Sequence, residues 1–283
     1  MIRIKSERAS LAGRVRTMLR TDTRRMISTP FFYILLGVCL VLPVVILVMT
    51  TMMAGTTPID YTTGLPGEPI EGFDNVWQMI GSVSTGLTAG TEATAGTGTE
   101  AMGAEMSLTS MCNINMLYFG IAILVCVFVT GDFKSGFAKT LFTTRARKGD
   151  YVISKTVVCS AAAMLMIGAF IVGTLLGGAI VSLPFEMVGF TAIELVCCLI
   201  SKVLLVAVFV PIYLVMSIAA KDKLWLALVL SFGVGMLLFT MIPMITPLNS
   251  TPLNPILCIA GGAGFSFGIG SVSRIVLDKT SLV

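Results

Sequence analysis

Six apolar runs, at about 31–53, 113–130, 157–181, 192–217, 224–245 and 253–275, alternate with polar connections along the chain. Each is long enough to cross a bilayer, whose hydrocarbon core of about 30 Å takes roughly 20 helical residues. The pattern predicts an all-α integral membrane protein with six transmembrane helices in one domain spanning 1–283. Ahead of the first run, residues 1–28 read as an amphipathic helix. Leu11, Val15, Met18 and Leu19 fall at helical spacing, with Met26 and Ile27 further on, while Arg14, Arg16, Arg20, Arg24 and Arg25 occupy the remaining faces. Such a helix lies in the membrane interface with its arginines on anionic lipid head groups. The plainer reading is a basic tail that only sets topology; the interfacial helix is the reading adopted. The stretch after the first run, Met52–Gly55, lacks a small-residue cleavage site, so that run is read as a retained span and not a signal peptide.

Orientation follows from where lysine and arginine fall. Residues 1–30 hold eight Lys or Arg against two acids, whereas the long loop 54–111 holds seven acids and no base. The loop 131–155 is basic again, 182–190 carries only Glu186, Lys221 and Lys223 follow, the turn 246–252 is uncharged, and Arg274 and Lys279 stand near the end. Basic and non-basic connections alternate, which places both termini in the cytoplasm, 54–111 outside, and the protein in the plasma membrane. The loop 54–111 is rich in Gly, Thr and Ala between 81 and 104, and Phe73–Ile80, with Trp77, reads as a short helix resting on the membrane surface. Its acids either attract cationic cargo or are what positive-inside topology leaves behind; the second reading is preferred.

Composition removes whole classes of chemistry. Charged residues are 12% of the chain, apolar residues 55%, and histidine is absent. Without histidine there is no ordinary neutral-pH base and the commonest metal ligand is missing. The seven cysteines are odd in number, form no C-x-x-C and lie mostly in apolar runs, so they read as small core residues and not as a disulfide or metal framework. Gly131–Gly136 has the glycine spacing of a phosphate loop, but Lys139-Thr140 comes two residues late and the segment leaves a helix, not a strand. No cofactor is expected on this chain, no nucleic-acid partner, and no enzymatic activity of its own. The glycine pairs Gly173/Gly177 and Gly264/Gly268 suit close helix packing, within the chain or across a dimer.

One segment carries a family signature. Residues 131–155 place Asp132 at the end of the second span, Gly136 four residues later, then Leu141 and Arg145, with Tyr151 and Lys155 entering the third span. This resembles the cytoplasmic loop of type-2 ABC exporter permeases, which commonly have Glu where Asp132 stands and a Pro-containing turn where Thr143-Thr144 stands. The interfacial helix and six spans extend the resemblance over nearly the whole chain. It implies the permease subunit of an ATP-driven exporter, with partners in separate ABC ATPase subunits that bind ATP, in a second permease copy or homologue, and in membrane lipids. Asp132, Gly136, Leu141, Arg145, Tyr151 and Lys155 become candidates for coupling to the ATPase. A stiff helix is expected to extend beyond the membrane, turn near Thr143–Arg147 and return with bases that dock an acidic groove, or that merely hold the loop inside. The alternatives are a non-transporting membrane anchor or regulatory subunit of a sensor complex and an ion-coupled secondary carrier. The carrier needs intramembrane ionisable residues, for which Lys202 and Glu194 are the candidates.

Lys202 admits two placements. In a helix over 192–217 it lies near mid-membrane and needs a polar cavity or a partner on another helix, because Glu194 lies about 12 Å away along the axis and about 80° round it. If Val203–Ala220 spans alone, 191–201 forms a surface helix and Lys202 snorkels to water. The second placement, an outer-leaflet anchor without a transport role, is adopted.

Overall fold

The computed structural model describes residues 11–57, 72–83, 112–143, 148–239 and 241–279, and among them the chain is helical without strands. Nine α-helices are described. The first is α1 (Leu11–Ser28), followed by α2 (Pro30–Met53), α3 (Leu117–Lys134), α4 (Phe137–Thr143) and α5 (Lys148–Val181). Then come α6 (Ala192–Ala220), α7 (Leu224–Phe239), α8 (Ile242–Ile245) and α9 (Leu253–Lys279). Two short 3-10 turns, Val76–Met79 and Ile114–Met116, precede α3.

Five helical segments are long and apolar enough to cross a membrane: α2, α3 with its leading turn, α5, α6 and α9. The chain is a multi-pass membrane protein. The run 224–245, expected as one span, is instead the 16-residue α7 followed by the separate α8. Pro243 lies in the first turn of α8, where its missing N–H leaves no helical hydrogen bond unmade.

The spans run up and down between two ends. One end carries α1, the α3–α5 connection and the C-terminal part of α9, where the Lys148 ammonium donates to the Leu277 carbonyl at 2.9 Å. The other carries the 72–83 segment, the 182–191 connection and the turn after α8. Pro30 separates α1 from α2. It pushes Thr29 into extended geometry (φ −87°, ψ 117°) and then serves as the first residue of α2.

α3 lies at the centre, with 67% of its apolar window buried, whereas α2 and α9 bury 22% and 17% and present broad apolar faces outward. Ile121, Val125 and Val129 of α3 meet Met166 and Phe170 of α5 and Val206, Val210 and Leu214 of α6 in one continuous core. Tyr118 stacks on Phe209 with ring centroids 4.6 Å apart. α2 lies along α5 through the first glycine pair. A Cβ on Gly173 would overlap the Leu40 carbonyl and stand 2.7 Å from Pro43, and one on Gly177 would stand 2.9 Å from Leu47. That pair is therefore an intramolecular contact. A Cβ on Gly264 or Gly268 of α9 meets nothing within 4 Å.

The segment expected to rest on the membrane surface is tucked in. Val76 and Met79 are fully buried, and Val76 presses on Gly178 so closely that a Cβ there would overlap it. Val76 N–H donates to the Pro184 carbonyl at 3.3 Å and the Trp77 indole N–H to the Phe185 carbonyl at 3.1 Å. The apolar pair of the turn finds a pocket at the bundle end, which costs less than leaving it in water.

The two glycine pairs predict opposite tolerance. Gly173→Val overpacks the α2–α5 contact and lowers stability in detergent by roughly 1–3 kcal/mol or more. Gly264→Val leaves stability within about 0.5 kcal/mol. Thermal unfolding of the two purified variants compares them directly.

Candidate functional site

The residues singled out in the 131–155 segment converge at the α1 end. α3 closes with Ser135 N–H donating to the Gly131 carbonyl at 3.0 Å and Gly136 N–H to the Phe133 carbonyl at 3.1 Å. Gly136 then takes φ +71°, a left-handed conformation that only glycine adopts without strain. The chain turns there and starts α4 at Phe137. The connection is thus a break and a short helix, not the stiff extension expected from sequence, because Gly136 ends α3 at once. Arg145, with 144–147, lies outside the described residues, as do the acids Glu92, Glu100 and Glu105 of the long loop.

α5 is 34 residues long and rises about 51 Å, well beyond a core of about 30 Å, so its first turns project at this end. These turns hold Asp150, Tyr151, Ser154 and Lys155. α1 lies across them and brings Asp22 and Arg25.

A buried charge network results. The Lys155 ammonium stands 2.7 Å from Asp132 Oδ2 and 2.9 Å from Asp22 Oδ1, with all three side chains at most 1% exposed. Arg25 Nη1 lies 2.8 Å from Asp132 Oδ1. Arg25 and Lys155 meet Asp132 at contact distance but off the hydrogen-bond line, so charge attraction holds them more than aligned hydrogen bonds do. Aligned bonds come from neutral donors: the Tyr151 hydroxyl donates to Asp132 Oδ2 at 3.0 Å and the Ser154 hydroxyl to Asp22 Oδ2 at 2.6 Å. Aromatic rings close the cage. Phe137 of α4 lies under the Arg25 guanidinium at 3.9 Å, and Phe128 of α3 under the Lys155 ammonium at 3.8 Å. Phe142 of α4 meets Tyr151 edge-on at 5.5 Å, and Leu141 packs half-buried against the same core. A second pair, Arg14 Nε to Asp150 Oδ2 at 3.1 Å, fixes the start of α1 on α5.

Two acids face two bases, so the network is neutral and every formal charge has a partner. It offers no free nucleophile or base. It can join α1, α3, α4 and α5 so that a displacement of one is felt by the others. The arginines of α1 divide accordingly. Arg16, Arg20 and Arg24 are exposed, whereas Arg14 and Arg25 turn inward onto carboxylates and are not free for head groups.

Asp22 was not among the sequence candidates, although its position carried a signal. It falls on the apolar stripe of α1 with Val15, Met18, Leu19 and Met26, and an acid on a buried stripe requires a buried partner.

At the opposite end, α6 is continuous from Ala192 to Ala220, and Lys202 is 1% exposed. This corrects the surface-helix and snorkelling placement. The ammonium donates to Asn115 Oδ1 and Thr246 Oγ1, each at 3.0 Å, while the Lys202 carbonyl accepts from the Tyr118 hydroxyl at 2.9 Å. Lys202 need not reach water because neighbouring helices bring acceptors to it. Glu194 is half-buried and caps α6 by accepting from the Thr191 N–H at 2.7 Å, a local role apart from Lys202. Among the described residues, no group of Cys, Asp and Glu has the arrangement of a metal site.

The fold and both sites define a helical multi-pass membrane protein. No family model, no curated protein and no solved structure matches the chain.

The network predicts strong coupling between α1 and α5. Lys155→Met leaves Asp22 without a countercharge and Asp132 with Arg25 alone, and costs roughly 3–5 kcal/mol. Adding Asp22→Asn restores charge balance and recovers part of that loss. A double-mutant cycle on thermal unfolding should give a coupling energy above about 0.5 kcal/mol.

Proposed function

We propose that this chain is the permease subunit of an ATP-driven ABC exporter in the plasma membrane, working with separate ATPase subunits. The observation that carries the reading is the charge network that joins α1, α3 and α5 beside the short α4. In the exporter, ATP binding closes the ATPases against the exposed connection around α4. Phe137 under Arg25 and Phe142 against Tyr151 pass that displacement to α1 and α5, and Asp132 passes it to α3. The resemblance of 131–155 to type-2 exporter permeases supports the same reading. The six-span topology is retained with α7 and α8 together as the fifth span, and the α1 end is cytoplasmic. α2 and α9, the most exposed spans, supply the faces toward lipid and a second permease copy.

A tagged chain isolated from native membranes should retain a P-loop ATPase, and phosphate release should come from the complex and not from the stripped chain. Asp132→Asn should lower turnover of the assembled complex by roughly tenfold, within the usual range of coupling free energies, with the ATPase still bound. Hydrolysis by the isolated chain, or the absence of any ATPase, would overturn the proposal. An ion-coupled carrier is the second reading. Buried Lys202 favours it, and transport that follows an ion gradient without ATP would establish it.

Orientation has its own test. Ser82 is exposed at the end opposite α1. In a chain lacking the native cysteines, Ser82→Cys should react with an impermeant thiol reagent on intact cells. Reaction only after lysis would reverse the orientation.

A further inference from the structure

The buried lysine at the end opposite α1 lies at the floor of a cleft of about 750 Å³. That volume falls in the range of small-molecule sites. Three separate elements build the floor: Lys202 from α6, Asn115 from the turn leading into α3, and Thr246 from the turn after α8. All three side chains are at least 98% shielded from solvent. Trp77, Phe190 and Leu248 contribute apolar wall, and the carboxylates of Asp74 and Glu186 lie at the exposed rim.

The electrostatics of this floor differ from those of the charge network. Both acceptors on Lys202 are neutral, and no carboxylate of the described residues pairs with it. An ammonium has three N–H bonds, and two are taken. A buried charge without a counter-ion is costly, and a neutral side chain would fill the same position at less expense. The rim carboxylates are exposed, so solvent screens them, while the floor charge is shielded and acts at full strength inside the cleft.

We infer that this cleft is a binding site for an amphiphile whose anionic group, a carboxylate or a phosphate, pairs with Lys202 and whose apolar body lies against Trp77, Phe190 and Leu248. The anionic group takes the remaining N–H of the ammonium and supplies the missing countercharge. The inference does not depend on ATP coupling, and binding is measured on the chain alone.

Trp77 lines the cleft, and the second tryptophan, Trp225, is 66% exposed on α7. In a Trp225→Phe background, purified in a neutral detergent, ω-bromoundecanoate should quench Trp77 fluorescence saturably. The uncharged ω-bromoundecanol should give only the linear quenching of a partitioning probe. Lys202→Gln should weaken the saturable phase by roughly tenfold or more. Asn115→Asp should do the same by a gentler route, since it keeps the lysine and its partner and only supplies a carboxylate from within. Competition identifies the source of the anionic group. Displacement by phosphatidylglycerol marks a lipid head group, and displacement by decyl phosphate alone marks a free amphiphile. Linear quenching by the bromoacid, or saturable quenching undiminished in both folded variants, would overturn the inference.

Discussion

Lys155 is held between two carboxylates in a place that water does not reach. A lone ammonium there would cost several kcal/mol, and so would either carboxylate without it. The charges therefore have to arrive together. They come from three elements: Asp22 and Arg25 from α1, Asp132 from the end of α3, Lys155 from the start of α5. The requirement that they neutralise one another fixes where α1 crosses α5 and where α3 stops. It also explains why α1, apolar on one face only, lies on the bundle and does not drift along the interface as a free amphipathic helix would. Apolar contacts in a lipid-surrounded bundle are weak at specifying register, because lipid tails compete with side chains on equal terms. A charge network inside such a bundle specifies register at little cost in ambiguity.

The helical segments were legible in the sequence because the bilayer demands length and apolarity, and both are visible without tertiary information. α2, α3, α5 and α9 fall close to the apolar runs, α1 covers the described part of 1–28, whose first ten residues lie outside the described ones, and α6 follows the run 192–217 and not the shorter span adopted from it. What the pattern could not give was depth and partnership. Lys202 reads as a charge near one end of an apolar run, and its acceptors Asn115 and Thr246 lie 87 and 44 residues away in sequence. The burial of Val76 likewise depends on Gly178, about a hundred residues on. Asp132, Tyr151 and Lys155 were found through a local segment, whereas Asp22 was hidden among the arginines of α1. Charge counting treats that helix as a basic surface. Helical phase, applied to its acid as strictly as to its leucines, would have placed Asp22 inward.

The two ends of the bundle handle buried charge in contrasting ways. At the α1 end two acids and two bases close on themselves, with aromatic rings as walls, and nothing is left over for a ligand. At the other end a single ammonium rests on neutral oxygens beneath a cleft. The first arrangement is suited to holding helices together and the second to meeting something from outside the chain. Both lie on the central helices, since α3 closes on Asp132 at one end and is preceded by Asn115 at the other. The candidate span with the largest buried share is thus also the one that connects the two polar sites.

The short α7 acts on the membrane as well as on the fold. Its 16 residues rise about 24 Å against a hydrocarbon core of about 30 Å. Val229, Met236 and Leu237 face outward along it, so lipid lies directly against this flank. A span of this length taken alone would be accommodated by local thinning of the bilayer or by association with another chain. In the proposed topology α8 completes this span, and any such thinning would fall on the flank of α7 and α8, where the chain turns into Thr246.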